Sequence, residues 1–219
     1  MLVLIMLIFP TLTTQTFYIS EVINTIKGVK MVLTEDDKKL LLHLARDAMN
    51  AELDRKDIND ELIQGVKKFN LKKGVFVTLT KNNKLRGCIG QIIPILPTWQ
   101  AIIEAAKSAA FHDPRFPSLD RSELPFVKIE ISMLSTLEKL EVTKPEEYLD
   151  KIEIGRHGLF LESGSGNAGL LLPQVFTEHK ADPLHALQMT CQKAGLPVNA
   201  WKNSDVIFRT FEAEIFREN

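Results

Sequence analysis

Apolar positions Leu40, Leu41, Leu44, Ala45 and Ala48 recur at helical spacing and form one stripe, behind a start at Thr34 with Asp37 three residues on. This predicts a helix with one buried side, on which His43 is a packing or surface residue. A polar stretch around Asp54 to Asn59 leads into a second short helix near Glu61 to Lys68. The period then switches from helical to two. Val75, Val77 and Leu79 alternate with Phe76, Thr78 and Thr80, the pattern of a strand with different neighbours on its faces. Asn82-Asn83 suits the positive φ values of a tight turn. The return arm then carries Leu85, Gly87 and Ile89 on one face and Arg86, Cys88 and Gly90 on the other.

Pro94 and Pro97 end that strand, and Thr98 is read as the cap of a helix with Trp99, Ile102, Ile103, Ala106 and Ala110 on its apolar side. Pro114 forces that helix to stop, leaving Phe111 to Pro117 as a stiff charged connector. Val127, Ile129, Ile131 and Met133 predict another strand, and Pro145 to Asp150 a short helix. Ile152 to Ile154, the turn Gly155 to Gly158, and strands at Leu159 to Leu161 and Leu170 to Leu172 come next. The loop Gly164-Ser165-Gly166-Asn167-Ala168-Gly169 lacks the Gly-Lys-Ser/Thr ending and following helix that a phosphate loop needs, so it is read as a hairpin loop. Asp182-Pro183 opens a helix with Leu184, Leu187, Cys191 and Ala194 on one face and Gly195 as its stop. Val206 to Phe216 is rich in strand formers. Hairpins interspersed with helices predict an α+β fold with antiparallel sheets and flanking helices.

Composition narrows the function classes. The 219 residues carry a net charge of −1, so nothing advertises a nucleic-acid surface; Lys67-Lys68 and Lys72-Lys73 read as solvated faces. Two distant cysteines give neither a disulfide framework nor a zinc site, and place the chain in a reducing cytoplasm. His179 and His185 are out of phase for one helix face, so no metal or cofactor is expected. Met1 to Phe9 is an apolar run that Pro10 ends well short of the ~20 residues of a membrane span, with no preceding basic residue. Residues 1–30 are therefore read as an extension outside the fold. Met31 is taken as the natural initiator, with a short membrane-associating tail as the rival.

The chemistry concentrates in Leu85-Arg86-Gly87-Cys88-Ile89-Gly90. A cation two residues from a thiol on one strand face favours thiolate, and glycines lacking Cβ admit close approach of a ligand.

That hexapeptide resembles the signature of the AMMECR domain family, named for the Alport syndrome, mental retardation, midface hypoplasia and elliptocytosis chromosomal region. Asp113-Pro114-Arg115-Phe116-Pro117-Ser118-Leu119 with Glu123-Leu124-Pro125, then Ile154-Gly155 with His157-Gly158, and Leu172-Pro173-Gln174-Val175 through Glu178 resemble further blocks of it, in order. Lys193-Ala194-Gly195-Leu196 followed by Trp201 is similar to its archaeal and bacterial branch. Ile93 stands where relatives often carry an acidic residue. The resemblance spans about residues 31 to 216. It implies two subdomains of unequal size around a cleft that the signature faces, the larger built from both chain ends and the smaller from a central insertion. It also implies partners from a modification pathway: a Memo-type protein and a radical S-adenosylmethionine enzyme.

Two functions follow. In an enzyme, Cys88 is the nucleophile, Arg86 lowers its pKa or binds an anion, and Asp113, Glu178 or His157 acts as acid or base. Gly87, Gly90, Arg115 and His157 are then the binding candidates. In a binding module the same motif shapes a cleft for a protein, less readily a nucleic acid, or for another large ligand. Cys88 is then simply packed, with Arg86 braced to Asp113 or Glu178.

Overall fold

The structure, a computed structural model, describes residues 6–7 and 32–219. The start-site reading at Met31 and the character of the segment before it lie outside the described residues, apart from Met6 and Leu7. Those two form a short strand, β1 (Met6–Leu7).

The described residues divide into two compact units, those up to Leu134 together with 214–219, and residues 135–213. In the first, helix α1 (Glu35–Asp54) starts from a capping box: Thr34 Oγ1 accepts from the Asp37 N–H, and Asp37 accepts from the Thr34 N–H. Asp37 also receives Lys68, and these bonds hold its carboxyl at about 2. Helix α2 (Asp60–Val66) is capped by Asn59. Strands β2 (Val75–Lys81) and β3 (Lys84–Gln91) form the hairpin, turning on Asn82 (φ 52°) and Asn83 (φ 59°). Helix α3 (Thr98–Phe111) and strand β4 (Val127–Leu134) follow. Thr98 does not cap α3. It is the first helical residue, behind Pro97, and its hydroxyl donates to the Leu71 carbonyl at 2.6 Å.

The sheet runs β1-β3-β2-β4-β9, with β9 (Ala213–Arg217) returning from the far end of the chain. Arg46 of α1 secures that return by donating to the Glu218 carboxylate and to the carbonyls of Leu124 and Val127. Val75, Val77 and Leu79 lie opposite Met133, Ile131 and Ile129, and Ile89 lies opposite Val77. This face joins Leu41, Leu44, Met49, Ile102 and Ala106 in one hydrophobic core. Each fully buried aliphatic side chain of this size stabilises the fold by about 1.5–3 kcal/mol.

The second unit holds a sheet in the order β5-β8-β6-β7: β5 (Glu138–Lys139), β6 (Gly158–Ser163), β7 (Ala168–Leu171) and β8 (Val206–Phe211). Helices α4 (Tyr148–Lys151), α5 (Pro173–Glu178) and α6 (Pro183–Lys193) complete it. Ile152 to Ile154 forms no strand: Ile152 caps α4 and Ile154 already belongs to the turn that follows. Helix α5 follows Leu172 directly; Pro173 at its first position favours the start. In α6, Leu184 points outward at the first turn, while Ala186, Leu187, Thr190 and Cys191 are buried. The predicted strand region 206–216 is two strands serving two different sheets. Among the described residues, no helix is long and apolar enough to cross a membrane.

Candidate functional site

The hairpin ladder carries one irregularity. Thr78 opposes Cys88 and Leu79 opposes Gly87, but Thr80 opposes Leu85, leaving Arg86 as the extra residue of a β-bulge. The bulge changes the expected facing. Leu85 falls opposite Thr80, in the rows that Cys88 shares with Thr78, and not on the Gly87–Ile89 face. Arg86 is released from strict alternation, and its guanidinium engages the connector between α3 and β4.

That engagement uses most of its donors. Arg86 Nε and Nη2 donate to the two Glu123 carboxylate oxygens at 2.8 and 2.9 Å, and Nη2 also donates to the Pro117 carbonyl at 2.8 Å. Lys81 Nζ reaches the same carboxylate at 3.0 Å. Arg86 in turn holds the Glu123 carboxyl below the usual range. The brace partner is therefore Glu123, not Asp113 or Glu178; Glu123 stands in the same motif block as Asp113, but nothing along the chain marks which acid meets Arg86.

Asp113 and Arg115 clip the strand edge instead. The Cys88 N–H donates to Asp113 Oδ2 at 2.9 Å, and Arg115 Nη2 donates to the Cys88 carbonyl at 3.0 Å. Arg115 closes the unit by donating to both Asp113 oxygens, at 2.9 and 2.6 Å. Two side chains thus occupy the positions of a neighbouring strand, satisfying backbone groups that an edge would leave open. Beyond the clip, Met6 and Leu7 of β1 pair in parallel with Ile89 and Gly90. Burial works against the Asp113 carboxylate, but the Arg115 guanidinium and the two backbone N–H groups outweigh it and keep its pKa low.

Cys88 itself is 0% exposed. Its sulfur lies 3.2 Å from Thr78 Oγ1, and burial pushes the thiol up despite that bond and the charge of Arg115. The cation that acts on the sulfur is Arg115. Thr78 also opposes Glu130, so Cys88, Thr78 and Glu130 form one cross-strand row, with Ser132 opposite Phe76 in the next. Strand pairing revealed that row; reading along the chain could not.

The two glycines serve packing. A Cβ on Gly87 would lie 2.1 Å from the Ala109 carbonyl oxygen, so the backbone of α3 sits directly on the strand. A Cβ on Gly90 would meet the Val75 carbonyl oxygen at 2.2 Å and the Phe76 ring at 2.4 Å. Glu178 and His157 belong to the second unit. Glu178 is exposed, and His157 Nδ1 accepts from the Glu153 N–H at 3.1 Å. Cys191, also in that unit, is raised to about 11 by burial. Among the described residues, no group of three or more His, Cys, Asp or Glu side chains is placed to hold a metal ion.

A model of the AMMECR1 family matches residues 42–216, most of the chain and every element of the brace and clip. The chain belongs to the AMMECR1 family. It is 45% identical over 190 residues to Protein MK0488 of Methanopyrus kandleri, covering 85% of this chain and 90% of that one. It is 43% identical over 182 residues to Protein NEQ441 of Nanoarchaeum equitans, covering 82% and 99%. The crystal structure of uncharacterized protein PH0010 from Pyrococcus horikoshii superposes with a TM-score of 0.79 at 39% identity, covering 85% of this chain and 94% of that one. The AMMECR1 fold is thus α+β in this chain as in that neighbour.

Proposed function

We propose that this AMMECR1-family chain is a recognition module. The Leu85–Gly90 stretch is its frame, the connector 112–126 is its reading surface, and no chemistry takes place at sulfur. The observation that carries this is the state of Cys88: fully buried, hydrogen-bonded to Thr78 and raised by burial, its thiol is held protonated and out of reach. The motif's charged groups are instead committed to the connector, a long loop of the kind that tends to carry function. Besides Arg86 and the clip, the Leu119 N–H donates to the Ala110 carbonyl at 2.9 Å, and Arg121 donates to Asn50 Oδ1 at 2.7 Å and to Asp54. A connector held this firmly presents Phe116, half-buried, and Phe126, 67% exposed, without much further ordering on binding.

The occupant is a protein, since a net charge of −1 gives nucleic acid little hold. The Memo-type and radical S-adenosylmethionine proteins implied by the resemblance are the first candidates. Alkylation of the native protein with peptide mapping tests the sulfur. Cys88 is expected to react only as fast as the protein unfolds; rapid native alkylation with a thiol pKa below the ~8.5 of a free cysteine would restore the nucleophile. Phe126→Asp, which leaves brace and clip intact, is expected to weaken capture of the Memo-type partner at least tenfold, and equal capture would remove the connector from the reading surface.

A further inference from the structure

One nitrogen in the brace is unaccounted for. Arg86 is 8% exposed, and its Nη1 is enclosed with no hydrogen-bond partner, although Nε and Nη2 are fully engaged. A guanidinium cannot shed its proton, so Nη1 carries two charged N–H donors that nothing accepts. Its planar fork, fixed on Glu123 through the Nε–Nη2 edge, holds Nη1 on the side away from that carboxylate. Beside the guanidinium lies Phe116, whose ring centroid is 5.8 Å from Arg86 Cζ and 5.5 Å from Arg115 Cζ.

Glu123 serves two cations, Lys81 and Arg86, Asp113 serves Arg115, and Asp120 also acts on Lys81. What the cluster lacks is therefore an acceptor at Nη1, not a counter-charge. Two donors on one nitrogen match the oxygens of one small carboxylate, whereas a buried phosphate would leave further oxygens without donors.

We propose that Arg86 Nη1 is the anchor for one carboxylate of the protein partner, with Phe116 as the movable wall over it. This rests on the recognition reading and adds the chemical class of what is recognised. Phe116 is the natural entry point because it is only half-buried, whereas Glu123 and the Pro117 carbonyl are tied down. The carboxylate takes the place the ring vacates and accepts from Nη1, completing the guanidinium's set of partners.

The test uses the full chain with arginine labelled for guanidinium NMR, titrated with sodium acetate against sodium chloride at matched ionic strength. The Arg86 signals are expected to shift saturably with acetate, with chloride moving them less than a third as far, and Phe116→Ala is expected to tighten acetate several-fold. Equal shifts with chloride, a saturable shift confined to Arg115, or tighter binding of inorganic phosphate would each overturn the proposal. A short peptide with a free C-terminus, compared with its amidated form and with an amidated peptide carrying one glutamate, assigns the carboxylate to a chain end or a side chain; failure of all three overturns it. If Cys88 stays unreactive and Phe126→Asp weakens partner capture while acetate does nothing, this inference falls and the recognition reading stands.

Discussion

Replacing Arg86 with methionine keeps a long apolar stem in the bulge but removes every donor of the brace. Glu123, whose side chain is 15% exposed, would retain only Lys81, and the Pro117 carbonyl would lose its Nη2 donor. Removing one partner of a buried pair costs about 3–5 kcal/mol. Because Lys81 remains and Glu123 keeps some contact with water, the lower end applies, about 3 kcal/mol. Glu123→Gln is gentler, since the amide oxygen still accepts, but it strips Arg86 of its counter-charge and costs about 2 kcal/mol. The double variant should fall short of the summed costs by about 1–2 kcal/mol, the range expected of residues in one network. The assay follows from tryptophan placement: the two tryptophans are Trp99 in α3, in the first unit, and Trp201 in the second. On a Trp201→Phe background, urea unfolding followed by Trp99 fluorescence reports the first unit alone. With a slope of about 1–3 kcal/mol per molar urea, Arg86→Met should move the midpoint down by about 1–3 M. A cost below about 0.5 kcal/mol with additive variants would match an ordinary surface substitution and refute the brace.

Gly87→Ala puts a methyl 2.1 Å from the Ala109 carbonyl oxygen, and because backbone cannot swing aside, α3 must shift; a loss of about 3 kcal/mol in the same assay is expected, and a neutral result would refute direct seating of the helix on the strand. Acid should destabilise the first unit: Asp113 and Glu123 are both lowered on folding, so their contribution is present above the ordinary carboxylate range and is lost as pH falls through the folded values, from about pH 5 downward. Asp113→Asn with Glu123→Gln should flatten that limb of the stability–pH curve, and an unchanged slope would show that other carboxylates govern it. Asp113→Asn alone leaves Arg115 without a counter-charge and should cost about 1–3 kcal/mol, with faster exchange of the Cys88 amide proton than of the Val77 amide.

Local periodicity carried most of the elements. The cap at Thr34, the Asn82-Asn83 turn, the stripe of α1 and the alternation of β2 and β4 are each fixed by residues within a few positions of one another, so they are legible along the chain. Facing within β3 was not, because a bulge depends on the partner strand: the sequence offers no mark that Thr80 will pair with Leu85 and pass over Arg86. The same holds for Gly87 and Gly90, whose missing Cβ atoms read equally well as room for a ligand or for a helix. Asp113 and Arg115 stood out by their place in a motif, yet their task of closing the strand edge at Cys88 needs the loop to fold back onto the hairpin.

The sequence by itself thus determined the family, the α+β class and which stretch holds the unusual chemistry, because composition, period and motif are local quantities. Tertiary structure alone decided what those side chains touch. Whether a thiol meets water, and whether a guanidinium binds a ligand or a carboxylate far along the chain, depends on desolvation and hydrogen-bond partners that only three-dimensional packing supplies. Cys88 and Arg86 are two residues apart in the chain; the first is sealed beside Thr78, and the second is spent on Glu123 save for one nitrogen.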